Sequence, residues 1–167
     1  MGQPGRRPDR QGAAARLKLV TDPTSPVAAR LAEIIDEFRD AEPRERLELL
    51  LELADNLPPL PAELVAQRDA GLHRVHECQT PVFLWVGISE GHVTIQADVA
   101  PESPTVKGFV ALLAEAFGGA TTEQVLATPP DLIQQLGLTE ALGMTRMRGL
   151  HAILYRVREE VRKASAG

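Results

Sequence analysis

Residues 82–99 read VFLWVGISEGHVTIQADV, and this stretch decides the fold that the sequence predicts. Its first part, Val82–Val86, is a short run of β-branched and aromatic residues, and its second part, His92–Val99, alternates apolar and polar side chains. Such patterns indicate strands with a buried face. Residues 89–91 supply a turn, so the segment predicts an antiparallel hairpin. A third short strand over Arg74–His76 would complete a small sheet.

Helical patterns lie on both sides of the hairpin. Residues 60–70 are predicted to form a loop with one short turn, and a short helix near residues 132–136 is predicted to end at Gly137. The fold class is therefore α+β, with a small antiparallel sheet of about three strands covered on one face by helices. Other helix starts are predicted where a cap residue or a proline precedes an apolar stripe of helical spacing, namely at Ser25-Pro26, Pro43, Ser103-Pro104, Thr121 and about Met144.

Length and composition predict one globular domain preceded by a basic tail. The chain has 167 residues, 44% of them hydrophobic, which is enough for one core. Residues 1–24, rich in Gly, Pro, Arg and Ala, are predicted to form a disordered N-terminal tail, and residues 25–167 the domain. The first 20 residues carry a net charge of +4 and the remainder −9, which gives the total of −5. An acidic body argues against nucleic acid as the main partner.

Two further classes are disfavoured by the sequence. No apolar stretch approaches the roughly 18 to 20 residues that span a membrane, and residues 1–20 lack the apolar region of a secretory signal. We therefore expect a cytoplasmic protein that does not enter the membrane. The single cysteine, Cys78, excludes an internal disulfide and any multi-cysteine metal cage supplied by this chain alone.

Cys78 lies in the segment VHECQTPVFLW, which leads into the first strand. A free cysteine is often an inert, buried small side chain. Here its neighbours Glu77, Gln79 and Thr80 are polar, which favours a loop position. His76 would lie on the same side as the sulfur if the segment is extended, and a nearby cation would raise the thiolate fraction. The position of Cys78 in the sequence is compatible both with an inert, buried side chain and with a reactive thiol on a loop.

Two other chemistries are conceivable for this segment. His73, His76 and Cys78 suggest a metal site, but no fourth ligand is evident nearby, so no metal is expected. A cysteine hydrolase would need a histidine base, an orienting Asn or Asp and an oxyanion hole, and nothing near Cys78 in the sequence supplies an evident oxyanion hole or orienting residue.

Three blocks of the sequence resemble the SufE family of sulfur acceptors. The cysteine segment matches that family at Val75, Cys78, Gln79, Thr80 and Val82, although Glu77 replaces the usual glycine and Phe83 the usual tryptophan. The second block is ADVAPESPTVKGFVALL, which matches at Lys107, Gly108 and Phe109. The third is LGLTEALGMTRMRGLHAIL, which matches at Arg146, Gly149 and Leu150. The blocks span about residues 75–154 in the family's order.

The resemblance implies a SufE/IscU-like fold and a function. Cys78 would take persulfide sulfur from a pyridoxal-phosphate cysteine desulfurase, stimulate that enzyme, and pass the sulfur on for iron–sulfur cluster assembly. The chain itself would bind no cofactor, and the cysteine loop would be tucked against an apolar pocket until it extends into the partner. The remaining candidate site residues support that loop: His76, Glu77, Gln79, Thr80, Lys107 and Arg146.

Several questions stay open at this point. The chain would be a sulfurtransferase-like acceptor that acts with a desulfurase rather than a stand-alone enzyme. The desulfurase, the final sulfur acceptor and the choice between monomer and homodimer are not determined by the sequence. The alternative from another class is a protein-binding adaptor in which Cys78 is inert.

Overall fold

The computed structural model describes residues 27–166. The tail predicted over residues 1–24 and the helix start predicted at Ser25-Pro26 lie outside the described residues. The described elements are α1 (Val27–Asp40), α2 (Pro43–Asp55), α3 (Ala62–Asp69), β1 (Val82–Ser89), β2 (His92–Val99), α4 (Pro104–Phe117), α5 (Thr122–Leu126), α6 (Leu132–Gln135), α7 (Leu138–Ala141) and α8 (Met144–Ala166).

The predicted hairpin is confirmed. Strands β1 and β2 pair antiparallel, with Val82 opposite Val99 and Ser89 opposite His92. Both residues of the connecting turn, Glu90 and Gly91, have positive φ angles of 52° and 79°. This is the conformation that a two-residue hairpin turn requires. One sheet face lies in the core, and its buried residues are Val82, Leu84, Val93, Ala97 and Val99.

The predicted third strand is reduced to a single bridge between Arg74 and Phe83. Hydrogen bonds flank this bridge on both sides, from Val75 N–H to the Val82 carbonyl and from Leu84 N–H to the His73 carbonyl. The pairing stops there because the chain turns at residues 76–80. Within the described residues, the sheet therefore has two strands instead of about three, and the α+β class is unchanged.

The segment predicted as a loop, residues 60–70, contains helix α3. None of its residues is buried, so it carries no apolar stripe that the sequence could have revealed. Polar contacts attach it to the outer face of the hairpin instead. Trp85 Nε1 donates to Gln67 Oε1 at 3.0 Å. The Arg68 guanidinium forms a salt bridge of 3.1 Å with Asp98, at the end of β2.

Helices α2 and α4 pack together more extensively than any other pair of helices in the described chain. Gly108 of α4 makes this approach possible, because a Cβ at this position would lie 1.9 Å from the backbone oxygen of Leu50. On the inner face of the sheet, α4 packs against β2 and α8 packs against β1. This arrangement brings the first turn of α4 and the N-terminal half of α8 close to the start of β1.

Most predicted helix boundaries agree with the structure. Thr121, a predicted helix start, forms a capping box with Gln124, and Gly137 adopts the left-handed conformation after α6, with φ of 69°. Helix α8 begins at Met144, as predicted. The short helix α7 was not predicted. No helix within residues 27–166 has the length and apolar character that crossing a membrane requires.

Candidate functional site

Cys78 lies in a short loop, residues 75–82, that we call the cysteine loop. The loop is closed at its base by the hydrogen bond from Val75 N–H to the Val82 carbonyl, 2.8 Å long. Inside the loop, Cys78 N–H donates to the Val75 carbonyl, which forms a turn. Ala100 N–H donates to the Pro81 carbonyl, which continues the hairpin ladder by one bond. The backbone thus holds both ends of the loop and leaves residues 76–80 outside the sheet.

The sulfur of Cys78 is buried, with only 4% of the residue exposed. It lies against helix α8 at Gly149, where an added Cβ would be 3.1 Å from Sγ. That distance is shorter than ordinary van der Waals contact, so a side chain at this position would press on the sulfur. The match of Gly149 to the family pattern therefore has a structural reason, which is to leave room for the buried thiol.

Burial raises the pKa of the Cys78 thiol above its ordinary range. Three smaller effects oppose this rise in pKa: the backbone N–H of Thr80, the positive charge of Arg74 and the hydroxyl of Thr80. Each favours the thiolate, either by a hydrogen bond or by charge. In the resting position Cys78 is therefore predominantly a neutral thiol at neutral pH, with groups around it that can stabilise the anion.

Arg74 was not among the residues that the sequence predicted for the site. It is half-buried, opposite Phe83 on β1, four residues before Cys78. Its Nε atom is buried and has no hydrogen-bond partner within the described part of the chain. Since no carboxylate of that part bonds to this nitrogen, the Arg74 charge can act on the sulfur.

Replacing Arg74 with glutamine is expected to raise the pKa of Cys78 further, because the charge that favours the thiolate is lost. The rate of Cys78 alkylation by iodoacetamide, measured against pH, should have its midpoint at higher pH and be several-fold lower at neutral pH. Arg44→Gln is the matched control, since Arg44 is an exposed arginine of α2. An unchanged midpoint for Arg74→Gln would contradict this role.

Thr80 connects the cysteine loop to helix α4. Its Oγ1 lies 3.1 Å from Oγ of Ser103, the residue before the first turn of α4. The sequence predicted that Ser103 caps this helix, and the position is right, but its side chain makes no capping hydrogen bond. The hydroxyl is directed to Thr80 instead. This contact joins residues 23 positions apart, which is why sequence spacing did not reveal it.

The two predicted cations lie on helices, each one turn from a residue that touches the cysteine loop. Lys107, half-buried on α4, donates its backbone N–H to the Ser103 carbonyl, four residues earlier. Arg146, exposed on α8, precedes Gly149 by three residues. Residues three or four apart lie on the same side of a helix. Within residues 27–166, neither side chain forms a hydrogen bond or salt bridge.

The other predicted loop residues face outward. His76, Glu77 and Gln79 are exposed, whereas Thr80 is half-buried. Because residues 76–80 turn instead of extending, the reason for expecting His76 beside the sulfur no longer applies. Glu77 borders a shallow cleft of about 400 Å³, whose other lining residues come from α8: Ala152, Tyr155, Arg156, Glu159 and Lys163.

No metal site is evident among residues 27–166, since no three His, Cys, Asp or Glu side chains there are grouped to hold an ion. His73 instead packs against the ring of Trp85, with centroids 5.4 Å apart. The site is thus a buried thiol on an exposed loop with a nearby guanidinium and two hydroxyls. A thiol with groups nearby that favour its thiolate is suited to nucleophilic sulfur chemistry.

Comparison with known proteins identifies the family. The family model described as "SufE: Fe-S metabolism associated domain" matches residues 32–161, which include every described element of the site. The chain belongs to the SufE family. The resemblance noted in three separate sequence blocks is therefore confirmed over most of the chain, and the family associates it with sulfur transfer in iron–sulfur metabolism.

Individual relatives agree with this family membership. An uncharacterized SufE-like protein of Mycobacterium tuberculosis is 35% identical over 146 residues, which cover 87% of this chain and 99% of the relative. The "cysteine desulfuration protein SufE" of Plasmodium vivax is 27% identical over 122 residues, which cover 70% of this chain and 46% of that protein.

A solved structure supports the fold. The solution structure of a hypothetical protein from Thermus thermophilus has a TM-score of 0.70 and 38% sequence identity. The match covers 82% of this chain and 96% of the other.

Proposed function

We propose that this SufE-family protein accepts persulfide sulfur from a cysteine desulfurase onto Cys78, stimulates that desulfurase, and passes the sulfur on for iron–sulfur cluster assembly. One observation supports the proposal: the only cysteine of the chain lies in the segment that resembles the family's acceptor signature, on a loop whose base is held by backbone hydrogen bonds and whose residues 76–80 lie outside the sheet. Loops presented by a rigid scaffold are common sites of reactive groups.

The proposed transfer is an exchange between sulfur atoms. The Cys78 thiolate attacks the outer sulfur of a persulfide held on the desulfurase cysteine. A new S–S bond forms at Cys78, the S–S bond on the desulfurase breaks, and the desulfurase cysteine leaves as a thiolate. The number of electrons at sulfur is conserved, so no external oxidant or reductant is needed. The thiolate form of Cys78 is required, because the thiol is a poor nucleophile.

Movement of the cysteine loop is part of this proposal. In the structure the sulfur is buried against Gly149 and the pKa of its thiol is raised, so it is protected from other thiols and poorly reactive. Extension of residues 76–80 would expose the sulfur to the partner and return its pKa toward the ordinary value of about 8.5. Return of the loop would then shield the newly formed persulfide.

The residues around Cys78 take distinct roles in this scheme. Arg74 and Thr80 favour the thiolate near the loop base. Lys107 and Arg146, on the two helices that flank the loop, would stabilise the anionic sulfur as the loop leaves its pocket. The exposed side chains His76, Glu77 and Gln79 would contact the partner first.

The partners follow from the same chemistry. Pyridoxal phosphate belongs to the desulfurase, so this chain would bind no cofactor, and the downstream partner would be an iron–sulfur scaffold complex. We place the reaction in the cytoplasm, where thiols are kept reduced. A monomer or a homodimer is compatible with an exposed loop.

Turnover of L-cysteine by a purified cysteine desulfurase tests the proposal. Adding this chain to the enzyme, with pyridoxal phosphate and a reductant, is expected to increase the steady-state rate of alanine formation. A desulfurase that is active and that binds the chain, yet shows the same rate with and without it, would contradict the proposed stimulation.

A further inference from the structure

A hydrogen bond between two side-chain hydroxyls connects the cysteine loop to the start of α4, and the proposed sulfur transfer does not by itself require this bond. Thr80 Oγ1 and Ser103 Oγ lie 3.1 Å apart and join the loop to the start of α4. The backbone bonds at Val75, Pro81 and Val82 hold only the base of the loop. Among the hydrogen bonds of the described residues, the hydroxyl pair is the side-chain bond that ties the loop to a helix.

The Ser103 hydroxyl contacts Thr80 and makes no capping hydrogen bond with the first turn of α4. Serine before the first helical turn ordinarily accepts a hydrogen bond from a backbone N–H of that turn, which stabilises the helix. Here its φ and ψ of −122° and 67° do not fit this arrangement, and no capping bond forms. Thr121, before α5, makes such a bond with Gln124. Asp131, before α6, also makes no capping bond, so the observation that points to the loop is the position of the Ser103 hydroxyl, 3.1 Å from Thr80 Oγ1.

The hydroxyl pair is also coupled to the sulfur. Thr80 favours the Cys78 thiolate through both its backbone N–H and its hydroxyl. A hydroxyl has one proton to donate and can accept through its lone pairs. When the Thr80 hydroxyl donates to the thiolate, the bond with Ser103 requires that Ser103 donates to Thr80. Ser103 therefore fixes the orientation of the hydroxyl that favours the thiolate.

We propose that Ser103 is a positioning residue for Cys78 that acts through Thr80 and holds the cysteine loop in its buried position. Release of the loop then requires the separation of Thr80 from Ser103, and a partner that competes for either hydroxyl favours release. The inference rests on the proposed function, since it concerns how the same thiol becomes accessible, and it names Ser103 as the residue that limits this step.

The test is the rate of Cys78 alkylation from about pH 6 to about pH 11, a range that extends well above the ordinary thiol pKa of about 8.5 because burial raises the pKa of Cys78. Ser103→Ala is expected to increase the plateau rate at high pH about fivefold, the factor that corresponds to about 1 kcal/mol for a typical hydrogen bond. Ser103→Thr keeps the hydroxyl and should restore the original rate. Thr121→Ala removes a true helix cap and should leave the rate unchanged.

A double-mutant cycle distinguishes the loss of the Thr80–Ser103 hydrogen bond from a general loss of rigidity in the cysteine loop. Thr80→Val should also accelerate alkylation, and the Thr80→Val/Ser103→Ala variant should react no faster than the faster single variant, because both remove the same bond. A plateau rate for Ser103→Ala equal to that of the original protein would overturn the inference. So would acceleration factors that multiply in the double variant.

The alkylation experiment needs no desulfurase, so its result is independent of the proposed function. Accelerated alkylation in a protein that accepts no sulfur would defeat the proposed function and leave the role of Ser103 intact. Normal sulfur transfer, together with an unchanged alkylation rate in Ser103→Ala, would overturn the role of Ser103 and leave the proposed function intact.

Discussion

Replacing Cys78 with alanine is expected to abolish stimulation of the desulfurase while leaving binding to the desulfurase intact. The substitution removes the only thiol of the chain, and alanine is small enough to occupy the pocket beside Gly149. The turnover rate of L-cysteine with the variant should equal the rate of the enzyme alone. Circular dichroism and a binding measurement establish that the variant is folded and still forms the complex.

The Cys78→Ala variant also distinguishes the sulfur-acceptor function from the alternative of a protein-binding adaptor. An adaptor acts through its surface, so an inert Cys78 would be dispensable and full stimulation would persist without it. The buried position of Cys78 is compatible with either role. Undiminished stimulation by Cys78→Ala would therefore contradict the sulfur-acceptor proposal and favour the adaptor.

Replacing Gly108 with alanine is expected to lower the free energy of unfolding by more than about 3 kcal/mol, which places it among the most severe single substitutions. The added Cβ would lie 1.9 Å from the Leu50 backbone oxygen, and backbone atoms of two packed helices cannot move aside as a flexible side chain can. Urea denaturation followed by circular dichroism measures the loss.

Gly143→Ala is the matched control for this substitution. Gly143 is exposed and an added Cβ there would meet nothing within 4 Å, so the loss should be at most about 1 kcal/mol, the cost of a poorer residue before a helix. Equal stabilities for Gly108→Ala and the original protein would show that α2 and α4 do not approach as closely as the structure has them. The match of Gly108 to the family pattern would then need another reason.

The parts of the fold that the sequence predicted correctly are those with a regular apolar pattern. The hairpin of residues 82–99 and helices α1 and α8 each bury one face, and burial imposes alternation or helical spacing on the sequence. Helix α3 buries no residue and is attached by Gln67 and Arg68, whose partners Trp85 and Asp98 lie across the sheet. Contacts of this kind leave no periodic signal.

The residues of the candidate site likewise divide into those that the sequence revealed and those that only the structure revealed. Cys78 and its neighbours could be found because they are contiguous in the sequence and match a family pattern. Arg74 acts on the sulfur only because the loop turns back toward it, and Ser103 reaches Thr80 only because the hairpin brings the start of α4 beside the loop. In the sequence, Arg74 is explained as a residue of the predicted third strand and Ser103 as a helix cap, so neither indicates a role at the site.

The position of the transferred sulfur is the most direct test of the central claim. The chain is incubated with a cysteine desulfurase, pyridoxal phosphate and L-cysteine, then alkylated, digested and analysed by mass spectrometry. The peptide containing Cys78 is expected to gain at least one sulfur atom, the added mass should be removed by reductant, and no other peptide should gain it. A Cys78 peptide without added sulfur, after reaction with a desulfurase shown to be active and to bind this protein, would contradict the proposed role of Cys78 as the sulfur acceptor.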